Sequence, residues 1–280
     1  FSPFADCTGD GQKMACWVGG VMEPTPRASM NTGGGGGGPW GTCPYLFLNA
    51  NGERFCNEAN AVGVTEATLL QPTGIVTTVT DANYYETLKN AGLDHGAPNY
   101  GRPVYYEELV ADMEAIELEN PEGGAVRCCT IAERNPSTVY ASETLEGALK
   151  LAGYEGDALQ TALDQVAKYN ELCATGKDSQ YGKDGKYMVP IDTPPFYTCP
   201  ANNSKTTSAG LVTLAGVETN NNLQVIDVAG NVIPGLYAAG NCLGERYGNS
   251  YATPFAGNSI GMAMTHGRVA GKIITGQEVL

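Results

Sequence analysis

Residues 232–274 read VIPGLYAAGNCLGERYGNSYATPFAGNSIGMAMTHGRVAGKII, and this stretch decides the fold. A short apolar strand from Leu236 to Ala239 breaks at Gly240, and a Gly/Asn/Ser-rich loop then leads into a helix beginning near Asn258. Glycine lets a backbone approach a ligand closely, and a helix N-terminus presents unpaired N–H groups at the positive end of its dipole. Such a turn suits the electron-rich end of a cofactor. An ordinary α/β scaffold uses the same strand–turn–helix pattern, so the pattern alone leaves both readings open.

At 280 residues, 42% of them hydrophobic, the chain can build one large domain or two modest ones with real cores. A formal net charge of −14 argues against a nucleic-acid partner, whose phosphates such a surface repels. No apolar run reaches the roughly 20 residues a membrane helix needs, so no membrane span is expected. Phe1 stands where an initiator Met would, which reads as a processed or excised piece; the compartment, exported or cytoplasmic, stays open.

The nine cysteines are odd in number and scattered, without a C-x-x-C pair. Cys128 and Cys129 are adjacent, too constrained for an ordinary bridge or a tetrahedral metal site. With His95 and His266 the only histidines, no metal centre is expected. Most cysteines read as buried or free thiols.

Along the chain, Asp10 reads as the N-cap of a short helix whose apolar face is Met14, Trp17 and Val18. The run Gly33 to Gly38 reads as a loop, not a nucleotide fingerprint: no strand precedes it and Pro39-Trp40 follow it. Tyr45 to Asn49 and Glu53 to Cys56 flank Ala50-Asn51-Gly52, a hairpin signal. Helices are expected from Asp81 to about Ala91, from Thr144 to Leu151, and from Ala158 to about Thr175. The last is capped by Asp157 with Gln160, faced by Leu159, Leu163, Val166 and Cys173, and stopped by Gly176. Pro190 to Pro195 reads as a crossing between domains. Strands follow at Leu211 to Leu214 and Leu223 to Asp227, with a turn at Ala229-Gly230-Asn231.

Several of these pieces together resemble the fumarate reductase flavoprotein family, which also holds 3-ketosteroid dehydrogenases and urocanate reductase-like enzymes. The 232–274 segment is similar to that family's C-terminal flavin segment. Thr8-Gly-Asp-Gly11 looks like its T-G-D-G turn, and Asn51-Gly-Glu-Arg54-Phe-Cys-Asn57-Glu58 like the N-x-G-x-R-F-x-N-E of its cap domain. Thr144 to Leu149 and Tyr169 to Asp178 resemble the cap's closing helices, and Pro195-Phe-Tyr197 its return to the flavin domain. The pieces occur in family order. The family's opening βαβ unit, which grips the adenosine and pyrophosphate of FAD, has no counterpart here.

The resemblance implies an α/β and α+β architecture: an incomplete Rossmann-like FAD-binding domain (residues 1–24 and 205–280) with an inserted α+β cap domain (25–204). It implies FAD in the intact protein, held weakly or not at all by this stretch alone. It implies a small-molecule substrate, an electron donor of unknown type, and the missing N-terminal half of the flavin domain as partners.

The cofactor-facing positions implied are Asp10, Ala239, Gly240, Asn241, Gly257, Asn258, Ser259 and Ile260. Asn241 stands where relatives often carry Glu, and an amide can also accept from ribityl hydroxyls. Fumarate reductases use an Arg as acid four residues past the cap's N-E, where Val62 stands here, and no arginine lies between Arg54 and Arg102. Fumarate is therefore not the expected substrate. Tyr251, Arg246 and Tyr247 lie in the flavin-side loop. Tyr251 could donate a proton or merely pack, and Arg246 with Tyr247 could hold a carboxylate or ring or face solvent. Trp40 could line the substrate entrance or sit in the cap core.

Three functions follow. The first is an FAD-dependent reductase of a C=C bond in an unsaturated carboxylate or enone. The second is a ketosteroid dehydrogenase-like desaturase resting on Tyr251. The third is a fragment without cofactor or activity of its own.

Overall fold

The computed structural model describes residues 8–25, 27, 44–59, 64, 67, 68, 70–90, 105–126, 136–202, 214–248 and 257–279. The chain divides into two compact units. One comprises Phe1–Thr32 with Ser208–Leu280, and the other Gly33–Thr207.

The second unit is built on a five-stranded antiparallel sheet. Its strands are β1 (Leu46–Asn49), β2 (Ile75–Thr80), β3 (Gly124–Val126), β4 (Ser137–Ser142) and β5 (Phe196–Asn202), in the order β1-β2-β5-β4-β3. Strand β5 pairs with β2 at Val79–Thr198 and with β4 at Tyr140–Thr198, so the last strand in sequence is central. Successive side chains of a strand face opposite sides, and both sides here are covered. Tyr197, Cys199, Val139 and Ala141 pack with Leu88, Leu109 and Met113. Those three belong to helices at Tyr84–Lys89 and Tyr105–Glu114. Leu46, Leu48 and Val79 pack instead with Leu149, Ala162, Val166 and Leu172, from helices at Leu145–Leu151 and Gly156–Thr175.

Local signals explain most boundaries. Thr144 caps its helix by accepting from Gly147 N, and Gly176 ends the 20-residue helix at φ 64°. The expected capping box at that helix does not form. Glu155 is the N-cap, and Gln160 bonds Asp164 at 2.9 Å. The hairpin signal is half met: the turn closes with Asn49 N donating to Glu53 O, but Leu48–Arg54 is the single bridge of its second arm. Strand β1 pairs with β2 instead, through four residue pairs from Leu46–Val79 to Asn49–Val76.

The helix expected from Asp81 begins at Tyr84 with Asn83 as its N-cap; the buried Asp81 carboxylate lies before it and accepts from Asn83 N, Asp192 N and Thr193 N at 2.8 Å each. Burial raises the Asp81 pKa, against the pull of those N–H groups. Pro190 to Pro195 is thereby fastened inside the second unit as the approach to β5, not a crossing between domains.

In the first unit, α1 (Asp10–Trp17) is capped by Gly9 at φ 72°, not by Asp10, which sits in the first turn. Its inner face is Gly11 and Ala15 rather than Met14, Trp17 and Val18, which are exposed (Trp17 79%). Close approach decides this: a Cβ on Gly11 would stand 2.7 Å from Cys242 Sγ. Strands β6 (Gln224–Ile226) and β7 (Val232–Tyr237) form an antiparallel pair. The strand expected at Leu236 to Ala239 therefore starts four residues earlier and ends before Ala239, which caps a 3-10 turn at Gly240–Cys242. The C-terminal helix runs Asn258–Ile274, beginning where the sequence implies. The Gly33–Gly38 run, Trp40, Val62, Cys128 and Cys129, His95 and most of Leu211–Leu214 lie outside the described residues. Among the described residues, Cys16, Cys56, Cys173 and Cys242 are free thiols.

Candidate functional site

Three elements of the first unit meet around the turn at Gly240. Gly240 itself has φ 60°, and a Cβ there would come within 3.3 Å of Ala263 Cβ, so the turn lies close against the C-terminal helix. Asn241 binds both neighbours. Its Oδ1 accepts from the Ser259 hydroxyl at 3.1 Å, and its carbonyl accepts from Gln12 Nε2 of α1 at 3.4 Å. Gln12 Nε2 also donates to the Ala215 carbonyl at 3.3 Å.

The C-terminal helix begins at a glycine. Gly257, at φ 78°, has no side chain to cap with, and the first intrahelical bond shown runs from Gly261 N to Gly257 O. The N–H groups of Asn258, Ser259 and Ile260 thus precede the helical ladder and can serve an outside acceptor. Asp10 is exposed and pairs with Lys13 at 3.5 Å. The Thr8 hydroxyl, more than Lys13, lowers its pKa.

The loop leaving the turn doubles back onto the same helix. Arg246 Nε donates to the Leu243 carbonyl at 3.0 Å, and its guanidinium lies 5.1 Å from the Tyr247 ring centre. The Tyr247 hydroxyl donates to Met262 Sδ at 3.3 Å and accepts from Asn258 Nδ2 at 3.5 Å. His266, two turns into the helix, has its pKa lowered first by burial and then by the nearby Arg246 charge. Asp10, Ala239, Gly240, Asn241, Arg246, Tyr247, Gly257, Asn258, Ser259 and Ile260 therefore all lie on three joined elements and one loop. Tyr251 lies outside the described residues.

The second unit holds a different charged cluster. Arg54 donates to both oxygens of Glu58, at 2.8 and 2.9 Å, and to both of Asp178, at 3.1 and 2.7 Å. The rings of Tyr169 and Tyr181 lie 5.3 and 5.1 Å from its guanidinium carbon. Lys183 Nζ adds an ion pair to Glu58 at 3.3 Å and bonds to the Tyr169 hydroxyl at 3.1 Å and the Pro44 carbonyl. All four charged side chains are buried. Burial opposes the Asp178 charge, but Arg54 and the N–H groups of Lys183, Gln180 and Tyr181 outweigh it and bring its pKa to about 2. The same burial lowers the Lys183 pKa, with Glu58 opposing. This Arg54 is committed to structure and is no free substrate cation.

Sequence reasoning missed two participants. Lys183 was hidden among lysines such as Lys13, Lys89, Lys150, Lys168 and Lys186, which face water. Glu23 showed one sign, an acidic residue closing the apolar run Val21-Met22, and its carboxylate is buried here. Among the described residues no cluster of His, Cys, Asp and Glu could hold a metal ion, and no helix is long and apolar enough to cross a membrane.

Comparison with known proteins gives a consistent neighbourhood. The FAD binding domain family matches residues 2–260. Vinyl phenol reductase of Lactiplantibacillus plantarum is 27% identical over 83% of this chain and 43% of its own length. NADH:acrylate oxidoreductase of Vibrio harveyi is 25% identical over 81% of this chain and 18% of its own. The chain spans less than half the length of these relatives. The 3-ketosteroid delta1-dehydrogenase of Sterolibacterium denitrificans shares the fold with TM-score 0.58 at 21% identity, over 96% of this chain and 47% of that one.

Proposed function

The chain belongs to the FAD binding domain family, whose cofactor is FAD, and on that premise we propose that it is the cap and C-terminal flavin part of an oxidoreductase that reduces a C=C bond. We assign residues 1–24 and 205–280 to the flavin part and 25–204 to the cap, a reading supported by the chain's division into units Phe1–Thr32 with Ser208–Leu280 and Gly33–Thr207.

The observation that carries this reading is the joining of Asn241 to Ser259 and to Gln12, which sets the glycine turn beside an uncapped helix start. That arrangement fits the flavin end of FAD. The turn at Ala239, Gly240 and Asn241 offers backbone at close range, and Asn258, Ser259 and Ile260 behind Gly257 offer N–H donors to developing negative charge. Asp10, exposed in the first turn of α1, completes the set. When bound, FAD supplies the hydride.

This chain's own residues would bind and orient the substrate. Arg246, stacked on Tyr247, suits a carboxylate or an aromatic ring. Tyr251 is the proton donor we assign to the carbon beside the reduced one. The substrate class is an unsaturated carboxylate, an enone or an alkene on a phenol ring. Arg54 is engaged by two carboxylates, so it does not substitute for the substrate arginines of fumarate reductases. The relatives' names, vinyl phenol reductase and NADH:acrylate oxidoreductase, support a non-fumarate alkene. An electron donor and an upstream nucleotide-binding half are the partners. The exposed Trp17, Met14 and Met264 are the surface we assign to that half.

The test begins with the visible spectrum of the 280-residue chain before and after adding FAD. The intact protein is then assayed with vinyl phenol, acrylate and an enone. A flavin spectrum in the intact protein with turnover of one probe supports the reading. Tyr251→Phe should then cut turnover about 10²-fold. A flavoprotein that only oxidises a saturated ketone with an added acceptor would install the desaturase reading instead. An intact protein that ignores FAD would refute both.

A further inference from the structure

Glu23 stands at the end of the apolar run Val21-Met22, and its side chain serves two distant parts of the first unit. The residue is 6% exposed. One carboxylate oxygen accepts from Gly216 N at 2.8 Å, and the other accepts from Glu245 N. Its own N–H donates to the Gly216 carbonyl at 2.9 Å, and its carbonyl accepts from Arg27 Nε and Nη2 at 3.1 and 2.6 Å. The carboxylate is therefore locked from both ends.

What it holds is a bend of unusual backbone. Glu245 has φ 55°, in the left-handed region that a residue with a Cβ rarely enters without outside support. The bend has no slack on its inner side. A Cβ on Gly216 would lie 2.2 Å from the Leu243 carbonyl carbon, and one on Gly244 would lie 3.0 Å from Glu23 Cβ. Immediately after the bend, Arg246 turns its Nε back to Leu243 O and stacks on Tyr247, which contacts Asn258 and Met262. The direction of Arg246 is thus set by the φ of the residue before it, and that φ is held by the Glu23 carboxylate.

We propose that Glu23 is the positioning residue of the Arg246–Tyr247 substrate loop. It acts through the Glu245 amide and touches neither substrate nor cofactor. The inference rests on the reading of Arg246 and Tyr247 as substrate-facing. A loop carrying a binding cation loses affinity when it shifts by an ångström or so, and the hydride-transfer centre need not move with it.

The test uses the intact flavoprotein and the variant Glu23→Gln, which keeps the volume but replaces one acceptor oxygen with a donor that faces an N–H. Two quantities are read: hydrogen exchange across residues 243–248, and KM and kcat per bound FAD with vinyl phenol and acrylate. Exchange should quicken about tenfold and KM rise about tenfold, with FAD content and kcat held within about threefold. Adding Glu245→Gly should recover most of the KM, because glycine enters the left-handed region unaided. A purely packing role for Glu23 would show no such rescue.

Unchanged exchange, faster exchange with unchanged KM in an active enzyme, or no rescue by Glu245→Gly would each overturn the proposal. If Glu23→Gln does not yield folded flavoprotein, Glu23→Asp, which shortens the reach but keeps the charge, is judged by the same criteria. If the wild type binds FAD yet reduces none of vinyl phenol, acrylate and the enone, the functional reading fails, and the exchange rates alone decide Glu23.

Discussion

The Ser259 hydroxyl donates to Asn241 Oδ1 at 3.1 Å, joining the first turn of the C-terminal helix to the 3-10 turn that follows β7. A single side-chain bond of this kind is worth about 1 kcal/mol net. Its consequence for a ligand held between the two elements follows from that figure. Asn241→Ala should weaken FAD binding by the intact protein roughly fivefold, and Ser259→Ala should do slightly less, because it leaves the Asn241 side chain in place to accept from the ribityl hydroxyls. Titration of apoprotein with FAD, followed by flavin absorbance, measures both. Equal affinity in wild type and Asn241→Ala would remove this turn from the cofactor site.

The Arg54 cluster predicts a large stability effect in the second unit. Glu58→Ala leaves Arg54 and Lys183 buried with one carboxylate, Asp178, between them, which should destabilise by about 3–5 kcal/mol. Lys150→Ala, which breaks an exposed helical pair with Glu146, should change stability by no more than about 0.5 kcal/mol. Urea unfolding of both variants separates the cases. Acid adds a signed check. Asp178 has its pKa lowered from 3.8 to about 2, so its contribution is present above pH 4 and is lost as pH falls through 2. Stability that declined only above neutral pH would contradict this.

Much of this architecture was legible because its causes are local. The helix start about Thr144, the Gly176 stop and the start at Asn258 each depend on residues within one helical turn, and the structure has all three to within a residue. The Arg54–Asp178 pair joins residues 124 apart, and the central place of β5 depends on strands far from it in sequence; neither leaves a local pattern. The partners of Glu23 were illegible for a further reason: they are backbone N–H groups, which every residue but proline carries. The α1 face was misread because hydrophobicity pointed to Trp17. Contact at Gly11 with Cys242 instead turned the small residues inward.

Gly52 supplies a prediction at the turn after β1. It has φ 82°, and a Cβ there would lie 2.2 Å from the Ala158 carbonyl oxygen and 2.6 Å from Ala162 N. These are backbone atoms of the 20-residue helix, so neither can step aside alone. Gly52→Ala should therefore cost more than the 1 kcal/mol or so of an unfavourable φ, by about 2–4 kcal/mol in all. Gly153→Ala, at φ 95° with nothing within 4 Å of its Cβ, should show the backbone cost only. Similar losses in the two variants, by thermal or urea unfolding, would deny the close packing of turn against helix.

His266 provides a pH-dependent probe of the loop itself. Its pKa lies below the ordinary 6.5, first because burial disfavours the imidazolium and second because the Arg246 charge repels it. A histidine depressed in the folded state stabilises when neutral, so its contribution is present above about pH 6.5 and is lost as pH falls below that. The chain has two histidines, which makes the ring protons easy to assign by variant. NMR titration should place His266 below 6.5, and Arg246→Gln should move the midpoint up without restoring it fully, since burial is the larger cause. Glu23→Gln should move it in the same direction if the carboxylate sets where Arg246 lies. A midpoint indifferent to Arg246→Gln would mean that the loop does not hold its guanidinium near this helix, and the assignment of Arg246 to the site would fall with it.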